Sequence, residues 1–155
     1  MKPNSTESIS KSVSLIAVFA LLLCQFAAPN AMAVISSSYS ATSGAGNLWS
    51  TSGSWSAGIP TSAGDTATFN ANLSALTTVT IDTTPRTVGI LNVGDSTTAF
   101  FAYTLAASGG ASLTFDNSGS GAQLNKTGTS TAADVISTPI TLADNLSDRL
   151  RIHFG

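Results

Sequence analysis

The chain has 155 residues, only 9% of them charged, a formal net charge of −2 and a single cysteine. So few cations, none of them clustered, argue against a nucleic-acid partner. One cysteine rules out a disulfide framework within the chain.

The first predicted element is a secretory signal peptide over residues 1–33. Lys2 and Lys11 precede an apolar run, VSLIAVFALLLCQFAA, from Val13 to Ala28, and Ala31-Met32-Ala33 supplies an A-x-A cleavage site. The run is shorter than the roughly 20 residues a membrane-spanning helix needs. Cleavage is expected after Ala33, leaving a mature chain with no membrane span. Cys24 raises the alternative of a lipoprotein signal, but Leu23 stands where that processing wants a small residue. The mature chain then keeps Arg86, Lys126, Arg149 and Arg151 against seven aspartates, a formal net charge of −3. Ser, Thr, Gly and Ala dominate it, and export to the cell surface or beyond is expected.

Residues 34–75 are expected to form an entry and capping segment. It carries LWSTSGSWSAGIPTSAGDTATF, with Trp49 and Trp55, an extended Ile59-Pro60 dipeptide and an Ala63-Gly64-Asp65 turn leading into a strand at Ala67 to Phe69. Residues 76–155 then repeat one theme, a short β-type run followed by a turn cluster. Val79 and Ile81 alternate in TTVTID, and TVGILNV follows the DTTPR turn. Phe101, Tyr103 and Leu105 alternate in AFFAYTL, and Leu113 and Phe115 in ASLTFD. AQLNKTG carries one apolar residue, Leu124, and ADVISTPITL carries Ile136, Ile140 and Leu142. The runs recur about every 10–12 residues, a spacing shared by β-sandwiches and successive faces of a β-solenoid. Short segments of similar composition, without a repeated Asn-Gly hairpin signal, favour a right-handed parallel β-helix of about three coils. A β-sandwich is the alternative. The run LSDRLRIHFG shows no cap, so the edge is expected to be covered by a partner, by edge-to-edge self-association, or by further coils of a longer protein, and the last is the expectation adopted.

Taken in order, the Trp-bearing entry, TVTID with TVGILNVGD, and YTLAASGGASLTFDNSGSGAQL continued by ISTPITLADNL resemble the N-terminal region of bacterial surface proteins with autotransporter-associated β-strand repeats. The resemblance spans roughly residues 47–146. It implies a secreted or surface-attached, structural or adhesive β-helix, and brings no catalytic residue and no cofactor. The many tandem repeats, the membrane barrel and the C-terminal sorting tail of such proteins have no counterpart in these residues.

The residues that could carry chemistry each have a plainer reading beside them. Trp49 and Trp55 are either a sugar-stacking platform or a lid on the first coil. Asp65 stands alone, where a calcium site wants several converging oxygens, so it is expected to bond backbone N–H groups of its turn. Asp82, Asp95, Asp116, Asp134 and Asp144 flank the strand runs, and stacked corners could align them into a calcium ladder or an acid pair. Their irregular spacing, and the failure of GGASLTFDN to match the calcium-binding nonapeptide, favour turn capping instead. His153 is the only histidine and is the third residue from the end of the sequence, unsuited to a catalytic relay. The sequons at Asn72, Asn125 and Asn145 are expected by chance in a Ser/Thr-rich chain. The resulting expectation is a non-catalytic structural or adhesive protein, without metal or cofactor, contacting cell-surface components or polysaccharide. The alternatives are a carbohydrate-binding module built on Trp49 and Trp55, and the non-catalytic front of a polysaccharide-degrading β-helix enzyme.

Overall fold

The computed structural model describes residues 33–82, 84–98, 100–144 and 151–153, the last three through their backbone. The chain divides between Ala33 and Val34. The expected signal peptide, with Cys24 and the first two residues of its cleavage motif, lies outside the described residues, as does Asn145.

From Ser36 onward the chain winds as a right-handed parallel β-helix of about four turns. The first face stacks β1 (Ser36–Ser38), β3 (Thr66–Phe69), β6 (Ile90–Val93), β9 (Gln123–Lys126) and β12 (Arg151–His153). The second stacks β2 (Gly44–Leu48), β4 (Thr77–Ile81), β7 (Tyr103–Ala107) and β10 (Val135–Ile136). The third holds β5 (Arg86–Val88), β8 (Leu113–Phe115) and β11 (Ile140–Leu142). Every pairing between these strands is parallel, which sets aside the sandwich, whose sheets are built from antiparallel neighbours. On the first face Ser36, Thr66, Ile90, Gln123 and Arg151 share one register position, so successive turns take 30, 24, 33 and 28 residues. That unequal length hides the repeat from any fixed-period reading.

Two expectations change. Residues 34–75 are not a separate cap ahead of the coils. They contain β1, β2 and β3, and so form the whole first turn and open the second. The reason is physical: SSS and GAGNL show no apolar alternation, and they become strands because the next turn supplies a ladder to pair with. The run TVGILNV is also not one strand. It breaks at Gly89 into β5 and β6, which lie on different faces. The corner is tight enough that a Cβ at Gly89 would stand 2.8 Å from Gly64 Cα and 2.9 Å from Asn117 Cγ. Only glycine lets three turns approach so closely there.

The alternation read from the sequence becomes columns running down the interior. Ala67, Leu91 and Leu124 form one, Val79, Leu105 and Ile136 another, and Val88, Phe115 and Leu142 a third. The upper members are fully buried, whereas Leu142 is 54% exposed. A fourth column begins with Phe69 and Val93 and ends at Lys126, so an ammonium occupies an interior register position. Its Nζ is accommodated by an ion pair with Asp134 and a 3.1 Å hydrogen bond to the Ala132 carbonyl.

Candidate functional site

In the first turn the place of a third-face strand is taken by residues 49–60, and both tryptophans point inward from it. Trp49 is completely buried and Trp55 is 6% exposed. Their centroids lie 5.2 Å apart, each packs on Phe69, and Trp55 meets Tyr39 edge-on at 5.0 Å. Tyr103, one turn below, continues the cluster at 5.6 Å from Phe69. Each indole N–H is bonded inside the segment, Trp49 Nε1 to the Pro60 carbonyl at 3.0 Å and Trp55 Nε1 to the Trp49 carbonyl at 2.8 Å. An indole stacks on a pyranose only through an open face. Neither ring has one here, so Trp49 and Trp55 do not form the aromatic platform considered from the sequence. They close the end of the core, and the edge of β1 is sealed with them: Ser38 N–H donates to Ser56 Oγ, and Ser56 N–H to the Ser38 carbonyl.

The aspartates cap turns, as expected, but most also reach across to the turn before. Asp65 accepts from Thr61 and Ser62 N–H in its own loop, each at 2.9 Å, and from Ile35 N–H at 3.0 Å. Asp82 accepts from both the N–H and the hydroxyl of Ser50, at 3.1 and 2.6 Å. Asp95 Oδ1 accepts from Leu73 N–H and from Thr97 N–H and hydroxyl. Asp134 takes the Tyr103 N–H at 2.8 Å, and Asp144 those of Asn117 and Ala122. Asp116 bonds only locally, to Ser118 N–H. These oxygens are engaged mostly by backbone donors, each carboxylate by its own set. Asp95 Oδ2 is buried without a protein donor, yet no three His, Cys, Asp or Glu side chains stand together among the described residues. One carboxylate oxygen is far from the six to eight oxygens that calcium collects. His153 falls in β12 beside Asn125, through its backbone.

The outward faces carry polar columns that the sequence reading missed. Thr68, Asn92 and Asn125 form a hydrogen-bonded ladder, Asn125 Nδ2 donating to Asn92 Oδ1 at 2.9 Å and Asn92 Nδ2 to Thr68 Oγ1 at 3.2 Å. The ladder ties up the amide of the Asn125 sequon. Thr87, Thr114 and Thr141 align on the third face. At the corner between the first and second faces, Leu76 is 68% and Phe100 82% exposed, on adjacent turns. Phe100 is out of phase with the alternating Phe101, Tyr103 and Leu105. No helix among the described residues is long and apolar enough to cross a membrane.

The ionisable groups of this framework fix a pH window. Burial, with smaller contributions from the Asp95 and Asp134 charges, outweighs the Ala71 N–H bond and pushes the Tyr103 hydroxyl up to about 12. Burial moves Tyr39 in the same direction. The Ser50 hydroxyl is the main cause holding Asp82 below its ordinary 3.8, aided by backbone N–H groups and Arg86 and opposed by partial burial. A raised tyrosine stabilises fully below its unfolded value of 10, and that stability is lost as pH climbs toward 12. A lowered carboxylate stabilises above its unfolded value, and its share is lost as pH falls through the lowered one. A plot of Tm against pH is therefore expected to fall at both ends. Tyr103→Phe should shrink the alkaline limb and Asp82→Asn the acid limb; limbs unchanged in both variants would refute the assignment.

No protein-family model, no curated protein and no solved structure matches the chain.

Proposed function

We propose that this protein is a non-catalytic structural or adhesive β-helix, exported across a membrane and working at or outside the cell surface, in the manner of the autotransporter-associated repeat proteins it resembles. The observation that carries the reading is how the chemically able side chains are used. The two tryptophans fill the first turn, and five of the six described aspartates hold backbone N–H groups of the preceding turn. What remains outward is a set of flat threonine and asparagine columns and the Leu76–Phe100 corner, surfaces suited to contact with cell-surface components or polysaccharide.

Two measurements test it. Expressed with its own N-terminus in a bacterial host, the protein should appear in the surface or extracellular fraction with a mass that begins at Val34. Retention in the cytoplasm at full mass would overturn export. Incubated with a panel of polysaccharides, the mature protein should release no reducing ends. Release that disappears in aspartate-to-asparagine variants would overturn the non-catalytic reading.

A further inference from the structure

Ile35, the residue before β1, is held to the start of β3 through both of its backbone groups. Its N–H donates to Asp65 Oδ1 at 3.0 Å, and its carbonyl receives Thr66 N–H at 2.8 Å. Val34 lies against the same turn, so that a Cβ at Gly64 would stand 3.0 Å from Val34 Cγ2. One residue spans at most about 3.6 Å of chain, which places the Val34 nitrogen within about 7 Å of Asp65 Oδ1.

Asp65 is only 2% exposed, and its three donors, the N–H groups of Ile35, Thr61 and Ser62, are all neutral. Arg86 and Lys126, the cationic side chains among the described residues, pair with Asp82 and Asp134 instead. The carboxylate therefore has hydrogen bonds but no counter-charge. A carboxylate offers about four acceptor positions. Oδ2 uses two, on Thr61 and Ser62, whereas Oδ1 uses one, on Ile35. The open position is on the oxygen already bonded beside Val34.

We infer that cleavage after Ala33 supplies the missing cation: the new α-amino group of Val34 pairs with Asp65 and locks β1 onto β3. This rests on the exported, processed form proposed above. Hydrolysis of the Ala33–Val34 peptide bond consumes one water. It leaves a carboxylate on Ala33 and an ammonium on Val34, where the precursor has a neutral amide. A charge-assisted bond to a carboxylate is stronger than a neutral one.

The gain falls where the coil needs it. β1 is Ser36–Ser38, a strand with no apolar side chain to hold it. The segment that carries Trp55 docks on this part of the chain, through Ser56 N–H to the Ser38 carbonyl and Ser40 N–H to the Ser54 carbonyl. Processing thus removes the leader and tightens the first turn in one step, and the turn is weaker before the cut than after it.

Residues 34–155 form one compact unit, so a chain beginning at Val34 can be released in vitro from a fusion, without relying on a host. It is compared with the same chain carbamylated on its α-amine, which removes the charge and keeps the sequence. Native-state hydrogen exchange then reads the amides of Ile35 and Tyr39, bonded to Asp65 and to the Thr68 carbonyl. They should open about fivefold less often with the free amine, with exchange at Val79 and Leu105 unchanged. Asp65→Asn should abolish the difference. If that variant does not fold, the Asp65 carboxyl carbon resonance of the unsubstituted chain replaces it, and should move on carbamylation. Equal exchange in the free and blocked forms, a difference that persists in Asp65→Asn, or an unmoved resonance would overturn the inference. Failure of a host to export or cut the chain would overturn the reading above instead, and leaves the comparison in vitro intact.

Discussion

Trp49→Ala is expected to cost about 3–5 kcal/mol of unfolding free energy, the range for deleting a buried large aromatic side chain. Trp49 is wholly enclosed, packs at a tilt against Trp55 and Phe69, and bonds to Pro60 within the 49–60 segment. The segment's 3₁₀ turn (Ser52–Ser54) buries no residue of its own, so its aromatic anchors in the core are Trp49 and Trp55. Domains are stable by only about 5–15 kcal/mol in total. Loss of this one side chain therefore leaves the first turn close to opening. Urea unfolding followed by circular dichroism and by the remaining Trp55 emission measures it. Trp49→Phe, which keeps much of the packing but loses the N–H donor, should cost clearly less. A loss under about 1 kcal/mol in the alanine variant would mean that the cap is not a structural element.

Gly128→Ala should be nearly as damaging, about 2–5 kcal/mol, from a left-handed backbone conformation and a steric clash acting together. Gly128 has φ +80°, and a Cβ there would fall inside the van der Waals envelope of the Asp95 carbonyl. That carbonyl receives Thr129 N–H at 3.2 Å, so it cannot retreat without breaking the corner. Gly94 and Gly128 are nested in adjacent turns, with Gly94 against the Thr127 carbonyl, so the corner tolerates a side chain at neither position. Thermal unfolding of Gly128→Ala and Gly119→Ala separates clash from backbone preference. Gly119 also has a positive φ but nothing within 4 Å of its Cβ, so its variant should lose only the smaller, conformational share. Equal losses at the two positions would remove the steric argument.

The alternating runs TTVTI, YTLAA and LTF were legible because each buries every second side chain, and a two-residue period survives any change in turn length. The first turn was not legible. Ser36–Ser38 has no apolar residue, and what makes it a strand is the register with Thr66 to Thr68. The division of TVGILNV at Gly89 was hidden for a related reason, since a bend enforced by Gly64 and Asn117 depends on residues 25 and 28 positions away. At the candidate site the residue types were readable and their use was not. Trp49 and Trp55 read first as a lid, with a sugar platform as the alternative, and their orientation comes only from the placement of Phe69 and Tyr39 against them. The aspartates read as turn caps, yet their longer bonds go to donors a full turn earlier, at offsets that vary from 22 to 32 residues.

By itself, then, the order of residues determined an all-β chain of short alternating strands with aspartates at their ends. Those properties are local, set by side-chain period and turn chemistry within a few residues. The tertiary structure alone decided where the coil begins, which way the tryptophans face, and which N–H groups each carboxylate holds. These depend on contacts made a whole turn away, and turns of 24 to 33 residues leave no constant spacing from which to read them.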